Sequence, residues 1–188
     1  SSTGHWSLAI GHSSRLIRPL IAVAVLAVAT IASAKPKVVI VSMGGTIASK
    51  ASSRMNLNNY GGKGNGVAPQ EWLDGVPEMQ EVATVTAEDM RQPEGTVGGD
   101  TSPYLYRVAK RLQELATDKS IDGIVVTHGT NTLAEAAWFM HLTVATTKPI
   151  VFVGAQRPWS GISGDGPLNL YNAVRIAATP EAGGMGVL

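Results

Sequence analysis

Three short segments carry groups that could attack and stabilise a carbonyl. Ser42-Met43-Gly44-Gly45-Thr46-Ile47-Ala48 sets a threonine hydroxyl behind two residues without side chains. A nucleophile needs that open approach, because the carbonyl it attacks must come within contact distance. Thr127-His128-Gly129-Thr130-Asn131-Thr132 stands where a strand passes into a helix, and free backbone N–H groups at such a place can stabilise an oxyanion. Val153-Gly154-Ala155-Gln156-Arg157-Pro158 is a third such strand end. Plainer readings compete for each. Gly44-Gly45-Thr46 could be a simple turn, Thr130 a turn residue, and Asn131 a helix N-cap. His128 reads as structural at a buried strand end, and His141 as packing. Gly61–Gly66 could cradle phosphate, but it follows no strand and reads as a flexible flap. The glycine spacing is not Gly-x-Gly-x-x-Gly, and no Gly-Lys-Ser/Thr follows a glycine-rich loop. The absence of cysteine excludes thiol catalysis, Cys-ligated zinc, iron–sulfur clusters and disulfides.

The elements that must position these segments alternate in kind. Lys37–Met43, Val82–Thr86, Ile121–Thr127 and Pro149–Gly154 read as strands, the first and third as β-branched runs buried on both faces. Thr101-Ser102-Pro103 opens a helix with Leu105, Val108, Leu112 and Leu115 on one face. Thr132–Leu142 is a second helix, with a capping-box pattern in Thr132-Leu133-Ala134-Glu135. Leu168–Ala178 is a third, and Asp165-Gly166-Pro167 before it reads as a turn. Residues 49–66 are polar, glycine-rich loop, and Trp72, Trp138 and Trp159 read as core or rim. Such alternation gives an α/β fold, a largely parallel sheet flanked by helices. Its ligand site should lie at the carboxyl ends of the strands. Gly184–Leu188 looks like a turn entering a further strand that nothing closes, so the domain reads as truncated.

With 188 residues, 44% of them hydrophobic, the chain can bury one ordinary core. Residues 1–34 read as a leader outside that core, and 35–188 as the domain. Arg15 and Arg18 precede the apolar run Leu20–Ile31, and the small residues Ala32-Ser33-Ala34 follow, as in a secretory signal peptide. The run is shorter than the ~20 residues of a membrane-spanning helix. Without its two arginines, Lys35–Leu188 carries 13 basic and 14 acidic residues. That balance names no electrostatic partner and excludes a strongly basic nucleic-acid binder.

Taken together, the three segments, in this order and after strands, resemble the bacterial L-asparaginase/glutaminase-asparaginase family. Asp165-Gly166-Pro167-Leu168-Asn169-Leu170-Tyr171-Asn172-Ala173-Val174 extends the match. The resemblance covers essentially all of Lys35–Leu188, and the leader makes it look like the exported, type II branch. It implies hydrolysis of the side-chain amide of L-asparagine or L-glutamine through an acyl-enzyme, with release of ammonia and no metal or organic cofactor. Thr46 matches the attacking threonine, and Tyr60 the flap tyrosine that helps to activate it. Thr130 matches the second active-site threonine. Gly45, Gly129, Thr130 and Asn131 match substrate-binding positions, and Ala155 the residue whose carbonyl lies near the leaving ammonia. The resemblance further implies a smaller C-terminal domain, intimate dimers pairing into tetramers, and a periplasmic or secreted protein. Residues 35–188 alone are therefore expected to be inactive.

Three departures stand out. Asn131 replaces the family aspartate that binds the substrate's α-ammonium. Val97-Gly98 aligns loosely with the family's Ser-Glu or Ser-Gln substrate clamp. The family's active-site lysine and partner-subunit residues fall beyond Leu188. A neutral hydrogen bond in place of a charged one would weaken L-asparagine binding by about ten- to thirtyfold, a loss that Asn131→Asp should recover. Two other readings keep the same pocket: an amidase for substrates lacking a free α-ammonium, and a non-catalytic small-molecule-binding homologue.

The leader predicts cleavage after Ala34. N-terminal sequencing of the exported protein should begin Lys35-Pro36-Lys37; a mature chain that retains Arg18 would sink the idea.

Overall fold

The computed structural model describes residues 34–93 and 100–188. The leader through Ser33 and the Val97-Gly98 alignment lie outside the described residues. Four strands form one parallel sheet: β1 (Lys37–Ser42), β2 (Thr84–Asp89), β3 (Gly123–Thr127) and β4 (Ile150–Val153). Their order is β2-β1-β3-β4. β1 pairs from Lys37↔Thr84 to Ser42↔Asp89 on one side and from Val38↔Gly123 to Ser42↔Thr127 on the other. Val187 then bridges to Ile150 in parallel, so the last residues do run as an extended segment beside β4. The expected parallel α/β sheet is what the chain forms.

Side-chain alternation along the strands divides the core in two. Val38, Ile40, Val85, Val125 and Val151 face α1 (Pro69–Gly75), α2 (Met79–Val82) and α5 (Gly166–Ala177). Trp72, Met79, Leu170 and Val174 fill that layer. Val39, Val41, Ile124, Val126 and Phe152 face α3 (Ser102–Thr117) and α4 (Leu133–Thr143), which contribute Val108, Leu112, Ala136 and Met140. Because both faces are covered there, β1, β3 and β4 read as apolar runs, whereas β2 keeps polar residues.

Several local expectations shift. The second strand starts at Thr84 rather than Val82, because Met79–Val82 closes a helical turn first. On α3 it is Tyr104, not Leu105, that is buried in the first turn, where its hydroxyl donates to the Met43 carbonyl at 3.3 Å. α1 and α2 had no clear periodic pattern, being only one to two turns long. Trp72 is fully buried, whereas Trp138 is 61% exposed and stacks on His141. His141 therefore does more than pack: its Nδ1 accepts the Val187 N–H at 3.2 Å. Among the described residues no helix is long and apolar enough to cross a membrane.

Gly123, at the start of β3, lies against the end of α5, where a Cβ would collide with the Ala177 carbonyl. Alanine would gain a few tenths to about 1 kcal/mol from a less flexible unfolded chain. Forcing α5 off the sheet costs about 1–3 kcal/mol, so the clash wins. Gly123→Ala should lower the urea midpoint, and an unchanged or raised midpoint would contradict this close approach.

Candidate active site

In a parallel sheet of this order, successive connections run to opposite sides of β1, and the crevice opens where they diverge, between β1 and β3. The loops that follow these two strands meet there. After β1 the chain turns through Gly44 and Gly45 into a short 3₁₀ turn, Thr46–Ala48. Gly45 has φ +83°, and a Cβ on it would fall on the Gly129 backbone. Glycine serves here first to let two backbones touch, which also brings the Thr46 and Thr130 loops into one cleft. Ile47 and Ala48 are buried immediately after, so Thr46 is held between a close backbone contact and a core anchor.

The segment 49–66 folds back over this turn. Antiparallel bridges join Ser49 to Gly66 and Ala51 to Tyr60, and the Lys50 N–H donates to the Asn65 carbonyl at 2.7 Å. Further bonds tie it to the loop after β4: the Trp159 N–H donates to the Ser49 carbonyl and the Ala51 N–H to Ser160 Oγ, both at 2.9 Å. Lys50 Nζ also reaches the Glu71 carboxylate on α1 at 3.0 Å. The expected loop is thus a pinned ribbon, and its return strand carries Tyr60 to the nucleophile loop. Thr46 Oγ1 and Tyr60 Oη are 3.0 Å apart, within hydrogen-bond distance.

The resulting cleft, of about 480 Å³, is lined by Gly45, Thr46, Tyr60, Gly129, Thr130 and Asn131, together with Met43, Ser49, Asp100, His128, Thr132 and Gln156. Every site residue expected from the sequence faces it except Ala155. Ala155 is expected to act through its carbonyl, and its side chain is buried in the core with Ile47 and Leu170, while the neighbouring Gln156 lines the cleft. Asn131 is not the helix cap, since Thr132 takes the N-cap and α4 begins at Leu133. Nor does Thr132 complete a capping box: its hydroxyl donates to Asp100 Oδ2. His128 is 3% exposed, with Nε2 3.2 Å from Asp100 Oδ2 and Nδ1 2.7 Å from the Gly129 carbonyl. Sequence reasoning missed Asp100, since it lies outside the three segments and only the start of α3 brings it here. Among the described residues no three His, Asp or Glu side chains converge as a metal site.

The family model described as asparaginase, N-terminal, matches residues 37–188. The chain belongs to this asparaginase family. L-asparaginase 2 of Bacillus subtilis is 44% identical over 153 residues, 81% of this chain and 40% of that protein. The glutaminase-asparaginase of Pseudomonas fluorescens is 42% identical, over 80% of this chain and 41% of its own length. A probable periplasmic L-asparaginase of Haemophilus influenzae is 40% identical, over 81% and 42%. The crystal structure of a probable cytoplasmic L-asparaginase from Campylobacter jejuni superposes with a TM-score of 0.73 at 36% identity, covering 81% of this chain and 45% of that one. The chain therefore spans about two-fifths of the length of the curated relatives it matches.

In this asparaginase-family domain the wall after β4 is held by Asp165, which does more than form a turn. Its Oδ2 accepts the Gln156 N–H and its Oδ1 the Arg157 N–H, both at 2.9 Å. Asn169 Nδ2, one turn into α5, donates to Oδ2 at 3.2 Å and to the Gly154 carbonyl at 3.0 Å. Burial acts to raise the Asp165 pKa, but the Gln156 and Arg157 N–H groups and the Asn169 amide outweigh it and hold the carboxyl below its ordinary value. A depressed folded-state pKa means the stabilisation is full above the unfolded value, about 3.9, and is lost as pH falls through the folded one. Asp165→Asn should cost about 1–3 kcal/mol at pH 7 in urea unfolding. The gap to the parent should narrow below about pH 4; a gap that stays constant with pH would exclude this role for the carboxylate.

Proposed function

We propose that the protein encoded by the whole reading frame is an exported amidohydrolase that cleaves the side-chain amide of L-asparagine, and of L-glutamine, with Thr46 as nucleophile. The observation that carries this reading is the Thr46 Oγ1–Tyr60 Oη pair, at 3.0 Å, facing the Thr130 loop across one cleft. Thr46 Oγ1 adds to the amide carbon as its proton passes to Tyr60 Oη, which releases its own proton towards the leaving nitrogen. The developing oxyanion is met by backbone N–H groups of the loop after β3. Collapse breaks the C–N bond, and the leaving nitrogen, having gained the proton, departs as ammonia. Water then adds to the acyl-threonine ester and releases the acid, which restores the Thr46 hydroxyl. These steps use side chains, backbone N–H groups and water, so the reading includes no metal or organic cofactor.

Substrate choice draws on the relatives, of which one is named an asparaginase and another a glutaminase-asparaginase. Export rests on the leader pattern; the relatives' names include both a periplasmic and a cytoplasmic enzyme. Assembly into dimers of dimers draws on the resemblance. It is also in keeping with Trp138, Leu142 and Met185, exposed apolar residues on and beside the helix that carries His141. Asn131, exposed in the cleft and uncharged, keeps a second reading open: an amidase for substrates without an α-ammonium.

Ammonia release distinguishes these readings. The protein made from the entire reading frame should release ammonia from L-asparagine. Thr46→Ala should lower kcat at least about 10³-fold, and Tyr60→Phe about 10²–10⁴-fold. Release only from amides lacking the amino group would favour the second reading. No release from any amide would leave a binding homologue.

A further inference from the structure

We infer that Asp100 is the residue through which this cleft recognises the α-ammonium of its amino-acid ligand. The inference rests on the amidohydrolase reading for its substrate class but has a test of its own. L-asparagine, L-glutamine and their acid products all carry an ammonium at neutral pH, and a cleft that selects them needs a negative group to meet it. Among the described cleft-lining residues Asp100 is the one carboxylate, and none is a lysine or an arginine. Asn131, on the loop after β3, offers an amide oxygen but no charge.

Asp100 is also built into its place. The side chain is 17% exposed, and Oδ2 is occupied by the Thr132 hydroxyl and by His128 Nε2 at 3.2 Å. Oδ1 takes no hydrogen bond from any described residue, which leaves it as the acceptor for a ligand. α3 begins two residues later, and its first turn is fixed to the loop after β1 by the Tyr104–Met43 bond. The carboxylate is therefore oriented before a ligand arrives, which limits the entropy lost on binding. Such a charge offsets the weakness that a neutral Asn131 would otherwise give the site.

The test is calorimetric titration of L-aspartate, and of succinate as its counterpart without the amino group, into the protein from the entire reading frame. Asp100→Asn is compared with the parent, and Asp100→Ser takes its place if the asparagine variant does not fold. The parent should bind L-aspartate more tightly than succinate by roughly ten- to thirtyfold. The variant should lose that preference. A residue that merely held His128 and Thr132 in place would weaken both ligands alike and leave the ratio standing. The inference is overturned if the parent shows no preference, if the preference survives in the variant, or if neither ligand binds. Ammonia release from L-asparagine by a parent whose preference survives in the variant would remove Asp100's role and keep the amidohydrolase reading.

Discussion

The contact of the Gly45 and Gly129 backbones governs the site. It joins the ends of β1 and β3, the two strands between which the sheet's connections diverge. No side chain fits between those loops, since a Cβ at position 45 would overlap the Gly129 main chain. The positive φ at Gly45 adds a second reason for glycine, as L-residues occupy that backbone region only at a cost of about 1–3 kcal/mol. With the two loops in contact, Thr46 and Thr130 look into the same 480 Å³ space. The 3₁₀ turn that follows sends Ile47 and Ala48 into the core, so Thr46 cannot swing away without unpacking it.

Polar struts then set the walls. Asp165 holds the loop after β4 by two main-chain bonds, and its depressed pKa reflects how well that loop satisfies the charge. The ribbon 49–66 is tied to α1 through Lys50–Glu71 and to the loop after β4 through Trp159 and Ser160. Asp100 closes the remaining side, bonded to Thr132 and beside His128. Arg111 of α3 forms a bidentate pair with Glu88 at the end of β2, at 2.8–2.9 Å, and keeps that helix over the sheet. Reactive groups on short turns are thereby held by rigid elements behind them.

Much of this was legible in the sequence because its signals are local. Unbroken β-branched runs announce buried parallel strands. Pro and Ser/Thr announce helix starts. A threonine behind two glycines announces an accessible hydroxyl. The parallel α/β class follows from such patterns, and membership of the asparaginase family from the resemblance of three motifs in order; the strand order comes from the structure. Boundaries moved by one to three residues where a helical turn competed with a strand, as at Met79–Val82. The short helices α1 and α2 escaped notice because one or two turns hold too few apolar repeats to set a period.

Partnerships across long stretches of chain were beyond local reading. Thr132 has the spacing of a capping box, yet its hydroxyl turns to Asp100, 32 residues away, where a charged acceptor gives the stronger bond. His141 finds its partner in Val187, which returns beside β4, 46 residues later. Gln156, not singled out within its segment, lines the cleft because the chain after β4 turns the neighbouring Ala155 side chain into the core. Composition and pattern by themselves determined the fold class, since it depends on periodicity and residue identity over a few positions. Which carboxylate faces the cleft, and which hydroxyl meets Tyr60, was decided only by tertiary structure, because packing of the two core layers sets where distant loops converge.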